Sequence, residues 1–285
     1  MIQNSKKDNL SLLENGLEFI ISGIDNFNNI ENEDIVFRLK GNKRLDSHYE
    51  KKFDDKRIKY SVLHLFAGIE LVLKERLRRE HWSLIFEKTD KANKLSLDKG
   101  DFVSVNFNGI KERLINIINI TFDFEDINKL RIERNKIQHY KFTLNKMENS
   151  QLIIKAVFSI ISFITNFLEP SKFNKKEKEL YIKILRLITS LYSHDPLILN
   201  EISEIYKKQC NQKNIIKTTC IYCFNNYLII DSENHCLFCG LKPTNKEIVK
   251  ASLNKTHTKL CKNCNSNLII NDEENDICLK CREKQ

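Results

Sequence analysis

Three residues near the middle of the chain, Arg134, Asn135 and His139, carry side chains suited to work on a phosphodiester. An arginine can hold a phosphate and a histidine can shuttle a proton near neutral pH. A second pattern lies further on, where eight of the nine cysteines fall into four Cys-x-x-Cys pairs: Cys220/Cys223, Cys236/Cys239, Cys261/Cys264 and Cys278/Cys281. In a reducing compartment, pairs grouped in fours point to metal rather than to disulfides.

The cysteine pairs form an internal repeat, offset by 41 residues at the first pair and 42 at the second. The inserts correspond as well. Asn226-Tyr227-Leu228-Ile229-Ile230-Asp231 matches Asn267-Leu268-Ile269-Ile270-Asn271-Asp272, each a short apolar strand running into a polar turn. Two knuckles joined by a hairpin deliver four soft ligands to tetrahedral zinc, so the reading is two small β zinc ribbons, at 215–241 and 257–285. All four positions of each site are filled by protein, so both zincs are expected to be structural, and no catalytic metal is expected. Each ribbon is too small to fold on its own core, so metal binding would supply the folding free energy. Iron in a rubredoxin-like site is the alternative; a thioredoxin-like dithiol fits less well, because no βαβ pattern surrounds the pairs. Cys210 is left over, and His235 and His257 are not needed to complete either site.

The elements that must position Arg134, Asn135 and His139 read as helices, with three prolines and seven glycines in 285 residues. Leu10, Leu13, Leu17, Ile20, Ile24 and Phe27 recur at steps of three and four, and Ser11 with Glu14 has the spacing of a capping box. Residues 28–56 are polar and weakly patterned, and read as a loop with a short helix. A strong helix follows from Arg57 to about Glu87, with a break or bend near His81. Residues 102–106 form a short extended candidate, and a further helix starts at Asn108. The motif lies on a helix from about Asp126 to Phe142, where Ile127, Leu130, Ile137 and Lys141 line one side and Arg134 falls inside the apolar stripe. Residues 151–168 are apolar almost all round, as expected of a central or interface helix. Helices at 175–192 and 197–209 close a helical domain spanning 1–209.

Helix geometry sets a condition on the motif. A spacing of five turns His139 about 140° from Arg134, whereas Asn135 and His139 share a face. One straight helix therefore does not aim the trio at one point; a second copy of the helix, or a break beside the motif, would. The ordinary reading of Arg134 is a cation snorkelling from an apolar stripe.

Arg134-Asn135-Lys136-Ile137-Gln138-His139 resembles the R-x4-6-H motif of the HEPN superfamily, in which asparagine frequently follows the arginine. The stretch Tyr60 to Leu71 resembles the second core helix of prokaryotic HEPN proteins. The resemblance implies a mainly α, HEPN-like helical bundle and a metal-independent endoribonuclease acting on RNA. It implies a homodimer whose two motifs form a composite site, which would meet the geometric condition above. Carried onto this chain, it makes Arg134 the stabiliser of the transition-state phosphate. His139 becomes the general acid or base, or the group that orients the phosphate, and Asn135 positions a phosphate or the ribose hydroxyl. Glu70 is a supporting acid by the same resemblance, and a helix-surface ion pair by ordinary expectation. A toxin or antiviral defence effector is implied, with an antitoxin or defence protein as partner. In HEPN toxins paired with nucleotidyltransferase antitoxins a tyrosine commonly lies two residues after the histidine. Here Lys141 holds that place and Tyr140 is adjacent to His139, which departs from that mode of regulation. The alternative is a non-catalytic HEPN and zinc-ribbon module that binds nucleic acid or a protein partner.

The formal charge is +9, and two four-thiolate zinc sites would lower it to roughly +5. Charge alone therefore says little about an anionic partner. Residues 1–8 lack the apolar core and cleavage site of a signal peptide, and no apolar run is read as approaching a membrane span. A cytoplasmic protein without membrane contact is expected.

Overall fold

A computed structural model describes residues 11–39, 47–139, 146–191, 216–223, 228–230, 234–236, 238–252, 269–272 and 275–278. The protein is mainly helical, as expected. It divides into two compact units, one of residues 1–168 with 173–194, the other of residues 169–172 with 195–285.

In the first unit, α1 (Leu12–Leu39) and α2 (Ser47–Glu80) form a long antiparallel pair. Both run well into the stretch expected to be a loop. Apart from Gly41, residues 28–56 contain neither glycine nor proline, so nothing in the backbone chemistry stops either helix, and weak apolar periodicity is not itself a helix breaker. The pair meets along a seam of small residues at heptad spacing, Gly16 and Gly23 on α1 against Gly68 and Ser61 on α2. A methyl group on Gly68 would stand 2.6 Å from the Gly16 carbonyl oxygen, and one on Gly23 would stand 2.5 Å from Leu65 Cγ. The buried Ser61 hydroxyl donates to the Gly23 carbonyl at 2.7 Å, so the closest approach is also hydrogen-bonded. Leu13, Leu17, Ile20 and Ile24 interleave there with Ile58, Leu65, Ile69 and Val72, all fully buried.

Helix α2 breaks at His81, where the sequence placed its bend. The imidazole Nδ1 accepts from the Ser83 backbone N–H at 3.3 Å and opens a 3-10 turn over Trp82–Ile85. The short α3 (Lys94–Lys99) leads into an extended crossing in which Glu87 N–H donates to the Val103 carbonyl and Val105 N–H to that of Ile85. This is the pairing made by the extended candidate at 102–106. Arg113, on α4 (Phe107–Asn116), fastens the crossing by donating to the carbonyls of Leu84 and Phe86 at 2.6 Å and of Glu87 at 2.8 Å. Helix α2 then packs against α4, α5 (Glu125–His139) and α6 (Lys146–Phe167), while α7 (Lys175–Leu191) packs on α1.

Helix α6 corrects one expectation. Glu148–Phe167 is long and apolar enough, by length and composition, to cross a membrane. Its Ile153, Ile154, Val157, Ile160, Ile161, Phe163 and Ile164 are buried in the bundle, and a core helix of a helical protein meets the same test.

Two capping boxes lock α1 to α7. Glu14 N–H donates to Ser11 Oγ at 3.0 Å, and Ser11 N–H returns to Glu14 Oε2 at 3.4 Å. Asn174 and Glu177 do the same, at 2.9 and 3.0 Å. The boxes then cross over: Ser11 Oγ donates to Glu177 Oε1 at 3.3 Å and Asn174 Nδ2 to Glu14 Oε1 at 3.4 Å. Lys176 adds a 3.6 Å ion pair to Glu14.

In the second unit, β1 (Ile216–Thr218), β2 (Leu228–Ile230) and β3 (His235–Cys236) form an antiparallel sheet in the order β1-β2-β3. Ile216 faces Ile230 and Leu228 faces Cys236. Helix α8 (Asn245–Ser252) follows, and β4 (Ile269–Asp272) pairs with β5 (Asn275–Cys278), Ile269 facing Cys278. Residues 197–209 and Cys210 lie outside the described residues.

Candidate functional site

Helix α5 presents its apolar edge to α2, with Ile127 and Leu130 fully buried. Arg134 lies at the border of this contact and is half-buried. Its guanidinium carbon stands 5.6 Å from the centre of the buried Phe66 ring on α2, so the alkyl stem covers the core while the charged head reaches the edge. Arg134 Nη1 donates to Asn135 Oδ1 at 3.0 Å. Two of the three motif residues are thereby brought together. His139 stands exposed at the end of α5, with no hydrogen-bond partner among the described residues. Helix α5 is continuous from Glu125 through His139, so the described chain holds no break that would swing His139 towards Arg134.

Glu70 lies four residues beyond Phe66 on α2, one turn from the ring that Arg134 covers. Its carboxylate pairs with Lys74 at 2.7 Å, and the buried Lys74 ammonium also donates to Ser104 Oγ at 3.0 Å. No described contact joins Glu70 to Arg134, Asn135 or His139.

In the second unit, Cys220, Cys223, Cys236 and Cys239 converge, with all four sulfurs within 4.8 Å of one another and buried. Cys220 and Cys239 are 3.9 Å apart and Cys223 and Cys236 are 3.7 Å apart. A zinc–sulfur bond of about 2.3 Å gives a tetrahedron whose sulfur–sulfur edge is about 3.8 Å, so this set fits a tetrahedral ion, while a disulfide needs about 2.05 Å. The second knuckle is closed by Gly240, at φ 68°, whose N–H donates to the Cys236 carbonyl at 2.8 Å; Cys236 N–H donates to Leu241 at 3.0 Å. Glycine takes this left-handed conformation without steric cost.

The electrostatics favour a cation at the centre. Hydrogen bonds from Cys223 first, then Cys236 and Cys239, hold the Cys220 thiol well below its usual range. The bond to Cys220 pushes Cys236 up, and burial pushes Cys239 up. The thiolate is therefore favoured at Cys220 and resisted at Cys236 and Cys239, a resistance that a divalent ion would reverse. These four cysteines could hold a metal ion. Of the second predicted set, Cys261, Cys264 and Cys281 lie outside the described residues, as does the side chain of Cys278.

Several participants escaped the sequence reading. Tyr222, inside the first knuckle, donates to Glu247 Oε1 at 2.7 Å; burial and this bond both push its phenol up. Glu247 Oε2 meanwhile accepts from Thr244 N–H and Thr244 Oγ1, both at 2.8 Å. Asn234, at φ 35° and buried, donates to Asn245 Oδ1 at 2.6 Å and to the Pro243 carbonyl at 3.3 Å. The thiol cluster and α8 thus form one hydrogen-bonded unit. The signal was present, since Thr244-Asn245-Lys246-Glu247 is a capping box. Phe66 offered none, because a core phenylalanine does not announce which cation covers it. No family model matches the chain, and neither a curated protein nor a solved structure matches it.

Proposed function

We propose that the helical unit is a metal-independent endoribonuclease of HEPN type, working as a homodimer, and that the C-terminal unit carries two structural zinc ribbons that bind substrate or a partner. The observation that carries the reading is Arg134, braced by Phe66 and Asn135 at the border of the bundle and without a carboxylate partner among the described residues. A cation held this way is poised for an anion from outside the chain.

In the reaction, the RNA 2′-oxygen attacks the adjacent phosphorus and the P–O5′ bond breaks, giving a 2′,3′-cyclic phosphate and a 5′-hydroxyl. One base removes the 2′-hydroxyl proton and one acid protonates the leaving O5′. Arg134 stabilises the charge that builds on the phosphoryl oxygens, and Asn135 fixes both the arginine and the substrate. His139 moves one of the protons. Since His139 and Arg134 diverge on one continuous helix, the working trio combines residues of two chains.

The test is incubation of the purified chain with RNA, with and without EDTA, followed by analysis of the cut ends. Arg134→Ala and His139→Ala are each expected to lower the rate by at least about 100-fold. Cleavage unchanged in both variants sinks the nuclease assignment. The exposed, unsupported His139 favours a second reading, a non-catalytic module. That module would keep its binding in Arg134→Ala and lose it in Cys220→Ser.

A further inference from the structure

Helix α5 carries a second arginine in the same situation as Arg134. Arg131 lies three residues earlier, on the neighbouring turn of the same side, and is half-buried. Its guanidinium carbon stands 5.8 Å from the centre of the Phe107 ring, and its Nε donates to Asn128 Oδ1 at 3.1 Å. The two supporting rings touch each other, with Phe66 and Phe107 centroids 5.7 Å apart. Each arginine is therefore propped twice, by a ring beneath and a carboxamide beside it, on one continuous aromatic base.

The neighbouring cations differ. On α5, Lys129 pairs with Glu125 and Lys136 with Glu133, both at 2.5 Å. On α2, Lys74, Arg76, Arg78 and Arg79 all have a glutamate within 3.3 Å. Arg131 and Arg134 have no carboxylate among the described residues, and neither Nη of Arg131 is engaged there. Holding two like charges side by side without counterions costs stability, which an incoming pair of anions would recover. Two planar donors on adjacent turns suit successive phosphates of a single strand.

We infer that Arg131 is a second phosphate-binding residue, holding the RNA phosphate next to the one at Arg134. The inference rests on the reading of RNA as the ligand of this face. Arg131 touches substrate away from the bond that breaks, so its loss raises KM and leaves kcat largely intact.

The test uses the full chain with a single-stranded 2′-O-methyl RNA, which lacks the nucleophile and separates binding from cutting. Binding is followed by fluorescence anisotropy over a range of salt. Arg131→Gln is expected to weaken binding several-fold and to flatten the slope of log K against log salt by about 0.7, the share of one phosphate on a single strand. Arg131→Lys keeps the charge and should retain the slope. Lys129→Gln, already neutralised by Glu125, should match the wild type. A wild-type measurement guards against a misfolded variant: bound RNA should slow phenylglyoxal modification of Arg131 several-fold, read by peptide mass spectrometry. An unchanged slope in a folded Arg131→Gln chain, or equal modification with and without RNA, overturns the inference. If the wild type cuts RNA while Arg131 is indifferent, only this inference falls. A wild type that binds without cutting removes the nuclease and leaves Arg131 standing. One that does neither removes both.

Discussion

At the scale of single residues, Glu70 is where two roles can be separated. Its carboxylate neutralises Lys74, whose ammonium is buried and whose other partner among the described residues is the Ser104 hydroxyl. Glu70→Ala leaves a desolvated cation with one neutral acceptor, and is expected to lower stability by about 2 kcal/mol in urea unfolding. If Glu70 serves only Lys74, the Glu70→Ala,Lys74→Met double variant should recover much of that stability and cleave RNA at the wild-type rate. Residual loss of cleavage in the stable double variant would mark Glu70 as a supporting acid. Residue types and spacing were enough to point to the Arg134–Asn135 pair, which the fold joins by a hydrogen bond, and to Cys220, Cys223, Cys236 and Cys239, which it clusters, because a short motif and Cys-x-x-Cys pairs are locally written. What Arg134 rests on was not legible, since Phe66 lies 68 positions away in the sequence and only the fold brings its ring beneath the guanidinium.

At the scale of elements, the α1–α2 seam sets two opposing effects against each other at Gly68. Alanine would raise helix propensity by about 1 kcal/mol. Its methyl group would also stand 2.6 Å from the Gly16 carbonyl oxygen and 2.8 Å from the Ile20 backbone nitrogen, and backbone atoms cannot move aside as a side chain can. Overpacking therefore wins, and Gly68→Ala should destabilise the chain by at least about 1–2 kcal/mol in thermal or urea unfolding. The crossed capping boxes make a further prediction. Ser11→Ala and Glu177→Ala should each cost about 1 kcal/mol. Their double-mutant cycle should show coupling of at least about 0.5 kcal/mol, because Ser11 Oγ donates directly to Glu177. Additive losses would mean that the boxes act separately. The Ser11/Glu14 start of α1 was readable, being a local pattern with a local partner. The length of α1 and α2 was not, because periodicity marks the face a helix buries and is silent where a helix continues with polar residues.

At the scale of the whole molecule, the proposed chemistry depends on assembly. A chain that needs Arg134 from one copy and His139 from another should sediment as a dimer. Mixing inactive Arg134→Ala and His139→Ala chains should restore part of the cleavage, since one of the two sites in a mixed dimer is then intact. Two monomeric, mutually unhelpful variants would remove the composite site. Metal analysis of the full chain should find about two zinc ions, and one ion per chain would restrict the metal to the described cluster. The hydrogen bond from Tyr222 to Glu247 carries a last consequence, for how long the protein survives in a cell. It ties the end of a helix to a loop whose shape the thiol cluster sets, so a metal held there, as proposed, would make its own supply readable by proteases. A chain starved of zinc should lose the support of α8, and limited proteolysis should then cut within 240–252, a segment that the loaded chain protects.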